Sequence, residues 1–111
     1  KLLDHGEAAE AMNRKSGPLY VADTIPANTY PGQDKAATNV DVWNILVVSD
    51  KMSNEMAYQI AKTLFEKKPE LVAVHKEAQN IELKHQGRAS PIPFHPGARK
   101  YFEEQGVKFA N

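Results

Sequence analysis

The chain has 111 residues, and its 14 basic and 14 acidic side chains give a formal net charge of zero. Nucleic-acid binding is disfavoured, because such domains usually carry a basic face and neither sign of charge forms a long block here. The absence of cysteine excludes disulfides, thiolate nucleophiles and cysteine-ligated zinc. Hydrophobic residues at 41% and charged residues at 25% are ordinary for a folded globular unit. No apolar run approaches the ~18 residues needed to cross a bilayer.

The first third of the chain predicts a helix, a strand and a long loop. Apolar spacing from Gly6 suits a short helix that ends before residues 16–18, where Ser, Gly and Pro follow one another. Residues 19–25 form a short segment with several β-branched side chains, which predicts a strand that ends at Pro26. Residues 26–39 are rich in Pro, Asn, Gly, Asp and Thr and predict the longest loop of the chain.

This loop contains the best candidate ligand contacts. Proline and glycine at the second and third positions of Tyr30-Pro-Gly-Gln33 predict a type II turn. Thr29, Tyr30 and Gln33 place a hydroxyl, an aromatic ring and an amide on that turn, a mixture that suits a small-molecule cleft. The alternative interpretation is a hinge loop that touches no ligand. The sequence favours neither interpretation over the other.

The remaining chain predicts one strand and three helices. Residues 40–49 read as the best strand, because the continuous apolar run Ile45–Val48 is typical of a strand covered on both faces of an α/β sheet. Ser53 or Asn54 can cap a helix that stops before Pro69. A further helix is predicted over residues 70–83, followed by a loop over 84–96 and a terminal helix over 97–105.

The start and end of the terminal helix are the best-marked features of the sequence. Prolines 91, 93 and 96 enforce an extended approach, and Pro96 suits the first helical position. His95 is predicted to be a docking residue at the N-cap, and Gly106 suits the left-handed cap at the far end. One apolar face for docking onto a core is formed by Ala98, Tyr101 and Phe102.

No enzyme chemistry is predicted. The histidines at positions 75, 85 and 95 lie ten residues apart, which matches neither a helical i,i+4 pair nor a short zinc loop, so separate surface or capping roles are favoured over a metal. No serine lies in a Gly-x-Ser-x-Gly turn, and the six glycines are scattered rather than gathered in a phosphate loop. The sequence predicts neither a metal nor a cofactor.

Two segments carry a resemblance to a known family. The stretch from His95 to Gly106 resembles the closing signature of the TAXI group of TRAP-transporter solute receptors, in which His-Pro-Gly-Ala leads into a short aromatic helix ending in Glu-x-Gly. Residues 25–34 resemble that family's Ile-Pro-Ala-Gly-Thr-Tyr-Pro-Gly-Gln loop, with Asn28 where glycine is usual. The helix that carries Tyr58 and residues 64–65 (Leu-Phe) is also similar, and the order of the pieces matches over nearly the whole chain.

The resemblance implies an α/β, C-terminal fragment of a two-lobed periplasmic-binding-protein (type II-like) fold. Residues 1–39 are then the end of one lobe plus the hinge loop, and residues 40–111 are the strand and helices of the C-terminal lobe portion. Such receptors are extracytoplasmic. They capture a small solute, here an amino acid or organic acid, by lobe closure and deliver it to membrane permease subunits.

The same resemblance assigns roles along the chain and leaves an alternative. Structural roles fall on His95, Pro96, Gly97 and Gly106. Most ligand-contacting residues lie upstream, so Thr29, Tyr30 and Gln33 are minor contributors. Exposed apolar faces predict self-association of the fragment. The alternative is a small α/β protein-interaction module without a solute, for which an open apolar patch along Tyr101 and Phe102 is the expected sign.

Overall fold

The computed structural model describes residues 1–110 as a mixed α/β chain. It divides into two compact units, Lys1–Leu46 and the part from Val47 onward. The elements of the described residues are α1 (Ala8–Ser16), β1 (Tyr20–Ile25), β2 (Ala37–Val42), α2 (Asn54–Glu66), α3 (Lys68–Val74), α4 (Pro96–Glu104) and 3₁₀ turns at Lys76–Asn80 and Leu83–His85. None of these helices is both long enough and apolar enough to cross a membrane.

The first unit is an antiparallel hairpin covered by α1. The register of β1 and β2 runs from Tyr20 opposite Val42 to Ile25 opposite Ala37. The Asn13 side chain joins helix to strand: its Nδ2 donates to the Tyr20 carbonyl at 2.8 Å, and its Oδ1 accepts from the Tyr20 amide at 2.8 Å. Each polar group of this amide therefore has a backbone partner, which fixes where β1 begins.

The segment before α1 is held against β2. The amides of His5 and Gly6 both donate to the Thr38 carbonyl, at 2.9 and 3.0 Å. A Cβ added to Gly6 would collide with the Thr38 side chain, so glycine is required by the close approach.

The strand predicted over residues 40–49 is wrong in both bounds. β2 spans Ala37–Val42, and the apolar run Ile45–Val48 lies outside it. Leu46 and Val47 are 69% and 64% exposed. The reason lies in the pairing: β1 begins at Tyr20 opposite Val42, so the residues after Val42 have no strand beside them in residues 1–110. An apolar pattern favours a strand only where a partner supplies the ladder hydrogen bonds.

The second unit is built on the packing of α2 against α4. Its core cluster consists of the buried residues Ala61, Tyr101 and Phe102, with half-buried aromatic rings packed around them. Phe65 and Phe102 meet edge to face with centroids 5.6 Å apart, and Phe94 and Phe109 meet at 4.8 Å. Such contacts add to the area burial that drives folding. The docking face predicted for the terminal helix is confirmed by the burial of Tyr101 and Phe102.

The helix predicted over residues 70–83 is correct only as far as residue 74 and wrong beyond it, because the helix ends before His75. α3 ends at Val74, and His75 is extended with φ −147° and ψ 121°. Its ring Nδ1 accepts from the Glu77 amide at 3.2 Å and so caps a 3₁₀ turn. A side-chain cap satisfies a backbone donor that helix continuation would otherwise use. Val74, the last residue of α3, is 86% exposed.

Candidate functional site

The candidate ligand loop is the 26–36 connection of the hairpin, closed by the Ile25–Ala37 pair. The Asn28 amide donates to the Gln33 carbonyl at 2.8 Å, and the Gln33 amide donates to the Tyr30 carbonyl at 3.1 Å. Gly32 has φ 75°, as the third position of a type II turn requires. Asn28 has φ 64°, a left-handed conformation that asparagine tolerates better than most residues.

The Gln33 side chain holds this loop together from inside. Its Nε2 donates to the carbonyls of Pro26 and Lys35, at 3.0 and 2.9 Å. Its Oε1 accepts from the Tyr30 amide at 3.2 Å. Both amide hydrogens are therefore engaged within the loop, and Gln33 acts here as a brace that fixes the backbone around Tyr30.

Thr29 and Tyr30 differ in what they leave available. The Thr29 hydroxyl donates to the Pro26 carbonyl at 2.7 Å, so only its lone pairs can serve a ligand. The Tyr30 ring is 53% exposed on the braced turn. The structure thus brings the three candidate residues together on one rigid loop. Ligand contact by Thr29, Tyr30 and Gln33 stays a prediction.

The histidine at the start of α4 makes two contacts at once. His95 is the N-cap, and its Nδ1 accepts from the Gly97 amide at 3.2 Å. Its Nε2 lies 3.0 Å from the Met52 carbonyl, to which the N–H donates. The ring therefore caps α4 and ties it to the turn that precedes α2. Both contacts are satisfied by the neutral ring with its proton on Nε2.

The two residues after His95 let α4 pack closely on α2. Pro96 occupies the first helical position, where its missing N–H leaves no bond unmade. Gly97 is buried, and a Cβ there would collide with the Asn54 carbonyl at the start of α2. At the other end of α4, Gly106 adopts φ 81° and its amide donates to the Glu103 carbonyl at 3.0 Å. The local requirement for each of these residues is thus structural.

A tyrosine on α2 is bonded to a carboxylate on α4. The Tyr58 hydroxyl donates to Glu104 Oε2 at 2.7 Å, across 46 residues of sequence. This bond, with lesser burial, raises the pKa of the Tyr58 phenol, because losing the proton would place two negative charges side by side. Burial raises the pKa of the neighbouring Tyr101 phenol. No local pattern in the sequence indicates this pairing, because the partners lie on different helices.

The three evenly spaced histidines do not form a metal centre in the described part of the chain. Across residues 1–110, no group of three or more metal-ligating side chains lies together. The His75 and His95 rings cap separate elements, and His85 Nδ1 lies 3.2 Å from the Asn80 carbonyl.

The described residues thus form a mixed α/β chain that presents a braced, exposed loop. In a comparison with known families, the model of the NMT1-like family matches residues 2–106. The match covers nearly the whole chain, and the chain belongs to this family. It is a periplasmic-binding-protein-like family, whose members are generally non-enzymatic and usually extracytoplasmic.

Proposed function

We propose that this chain is the C-terminal part of an extracytoplasmic solute receptor of the TAXI type, working with an ion-driven TRAP permease. The observation that carries the proposal is the family match over residues 2–106, together with the two motif segments at the 26–36 loop and the start of α4. The solute is a small carboxylate or amino acid, captured by closure of two lobes. No covalent chemistry is involved.

The braced loop supports a binding role for Tyr30. Gln33 fixes the backbone on both sides of the turn, so the ring is held in place before any ligand arrives. Preorganisation of this kind lowers the entropic cost of binding. A ring that is half exposed on one lobe has room to be covered by the second lobe and the solute when the receptor closes.

The exposed run Ile45–Val48 also supports a larger sheet. In residues 1–110 its backbone makes no hydrogen bond, and its side chains are 37% to 69% exposed. A strand of this composition is normally covered on both faces. We therefore propose that further strands of a two-lobed receptor pair with it, and that the isolated 111-residue chain self-associates through it.

Calorimetric titration of the complete translation product with amino acids and small carboxylates tests the proposal. Tyr30→Ala is expected to weaken binding about tenfold or more, as loss of a hot-spot aromatic ring does. Tyr30→Phe keeps the ring and isolates the hydroxyl. Unchanged affinity in Tyr30→Ala would reduce the loop to a hinge, and absence of any binding would refute the receptor function.

The protein-interaction module without a solute has less support. Its expected sign was an open apolar patch along Tyr101 and Phe102, and these rings are only 5% and 6% exposed.

A further inference from the structure

A shallow cleft in the second unit has a basic rim that the proposed solute site does not use. Its volume is about 500 Å³, and it is lined by Leu83, Lys84, Gly87, Arg88, Gln105, Gly106, Val107 and Lys108. Three of these side chains are cationic and none is a carboxylate. A cleft so lined attracts negative charge.

The two lysines of the rim leave a positive balance. Lys84 Nζ is paired with Glu82 Oε2 at 2.6 Å, and this contact lowers the pKa of the Glu82 carboxyl. Lys108 makes no ion pair with any residue from 1 to 110. Lys84 and Lys108 together carry one more positive charge than Glu82 neutralises. Lys84 and Lys108 are both exposed, so an incoming anion can reach them.

The floor of the cleft is apolar, and part of its wall is glycine backbone. Leu83 and Val107 are half-buried against the aromatic core of the unit. Gly87 packs against the backbone of Lys108, and its carbonyl accepts from the Ala110 amide at 2.9 Å. This part of the wall is therefore held by backbone contacts. An apolar side chain can rest on the floor while carboxylates meet the rim.

Burial distinguishes the kinds of ligand that fit. Five of the lining residues are exposed and none is buried. A small-molecule site encloses most of its ligand, whereas a segment of a partner protein is held by anchors on an open surface. We propose that this cleft docks an acidic segment of a partner protein, with an apolar residue over Leu83 and Val107 and carboxylates at Lys84 and Lys108. This goes beyond solute capture and uses a different surface.

Fluorescence anisotropy of the 111-residue chain with a labelled peptide of alternating glutamate and leucine tests the proposal. We expect Lys84→Glu combined with Lys108→Glu to weaken binding at least about tenfold, because both attractive contacts become repulsive. The matched control is Lys15→Glu with Lys51→Glu, which makes the same change of net charge outside the cleft and should leave binding unchanged. Circular dichroism verifies that both variants are folded, and Lys84→Ala with Lys108→Ala should give a smaller loss in the same direction.

Three results would overturn the assignment. The first is equal binding by a peptide with glutamine in place of glutamate, which would remove the electrostatic basis. The second is absence of binding, or equal loss in the cleft and control variants. The third is displacement of the peptide from the wild type by succinate, together with loss of succinate binding in the cleft variants. That result would make the cleft a site for small anions. The receptor function is tested separately: if the Lys84→Glu and Lys108→Glu changes abolish peptide binding but leave solute binding by the complete translation product intact, the two functions use different surfaces.

Discussion

His95 on α4 donates from Nε2 to the Met52 carbonyl at 3.0 Å, while its Nδ1 caps its own helix at the Gly97 amide. One ring thereby fixes both the start of α4 and its position beside α2.

Replacing this ring should loosen the second unit measurably. His95→Ala removes the cap and the bond to Met52 and should lower the free energy of unfolding by about 1–2 kcal/mol. His95→Asn keeps a capping oxygen but is too short to reach Met52, so it should recover part of the loss. The measurement is urea unfolding followed by far-ultraviolet circular dichroism. His75→Ala is the matched control, since its ring caps only an exposed 3₁₀ turn. Equal effects at both sites would contradict the bridging role.

Substitution of Gly97 tests the close packing of α4 on α2 through the sign of the change in stability. Intrinsic helix propensity predicts that Gly97→Ala stabilises α4 by up to about 1 kcal/mol. The contact with the Asn54 carbonyl predicts the reverse, a destabilisation of about 1–3 kcal/mol as the helices are forced apart. Thermal unfolding of the variant beside the wild type separates the two. A higher melting temperature would show that α4 does not approach α2 this closely.

Phe102 tests whether the terminal helix is docked. The ring is 6% exposed and contacts Phe65 edge to face, so Phe102→Ala should cost about 3–5 kcal/mol. Val74→Ala is the exposed control, at 86% exposure, and should change stability by less than about half a kcal/mol. Urea melts of both variants give the comparison. A loss below half a kcal/mol for Phe102→Ala would mean that α4 is undocked.

The tyrosine pair predicts how stability changes at alkaline pH. The folded-state pKa values of Tyr58 and Tyr101 are raised, chiefly by the bond to Glu104 and by burial respectively. A raised folded pKa gives a contribution that is fully present below the unfolded value of about 10 and is lost as pH rises through the folded value. Ultraviolet titration should therefore show the Tyr58 and Tyr101 phenols ionising above pH ~10 in the native chain and near 10 in urea. Tyr58→Phe should remove one late step, and an unchanged titration would refute the Glu104 bond.

The exposed apolar run predicts a gain in solubility without a loss of stability. Val47 is 64% exposed, so Val47→Lys should leave the melting temperature of the 111-residue chain nearly unchanged and reduce its association. Sedimentation over a range of concentrations measures the second effect. Asn44→Lys is the control for added charge alone. A marked loss of stability in Val47→Lys would show that this side chain is packed within the chain.

The sequence predicted elements that are specified locally and missed those that depend on distant partners. Pro96 and Gly106 mark the ends of α4 by backbone preference alone, and the helix lies within one residue of its predicted bounds. The end of β2 could not be read in the same way, because Val42 is its last residue only through pairing with Tyr20.

In the candidate site, too, the locally specified features could be predicted and the features that depend on distant partners could not. The turn around Tyr30 follows from its proline and glycine, whereas the bracing by Gln33 depends on the carbonyls of Pro26 and Lys35. The sequence does not reveal that the Gln33 amide braces the loop, because its partners are backbone groups brought close only by folding, and ligand contact by Gln33 stays a prediction. The Tyr58–Glu104 hydrogen bond could likewise not be predicted, because nothing in the sequence around Tyr58 or Glu104 indicates the other residue.

Native mass spectrometry of the complete translation product, purified without ligand removal, tests the central claim most directly, with the 111-residue chain measured beside it. The receptor function predicts a small co-purifying mass on the complete product that is lost on unfolding and is absent from the 111-residue chain. A complete product that carries nothing, with the 111-residue chain forming a defined oligomer or binding another protein, would contradict solute capture.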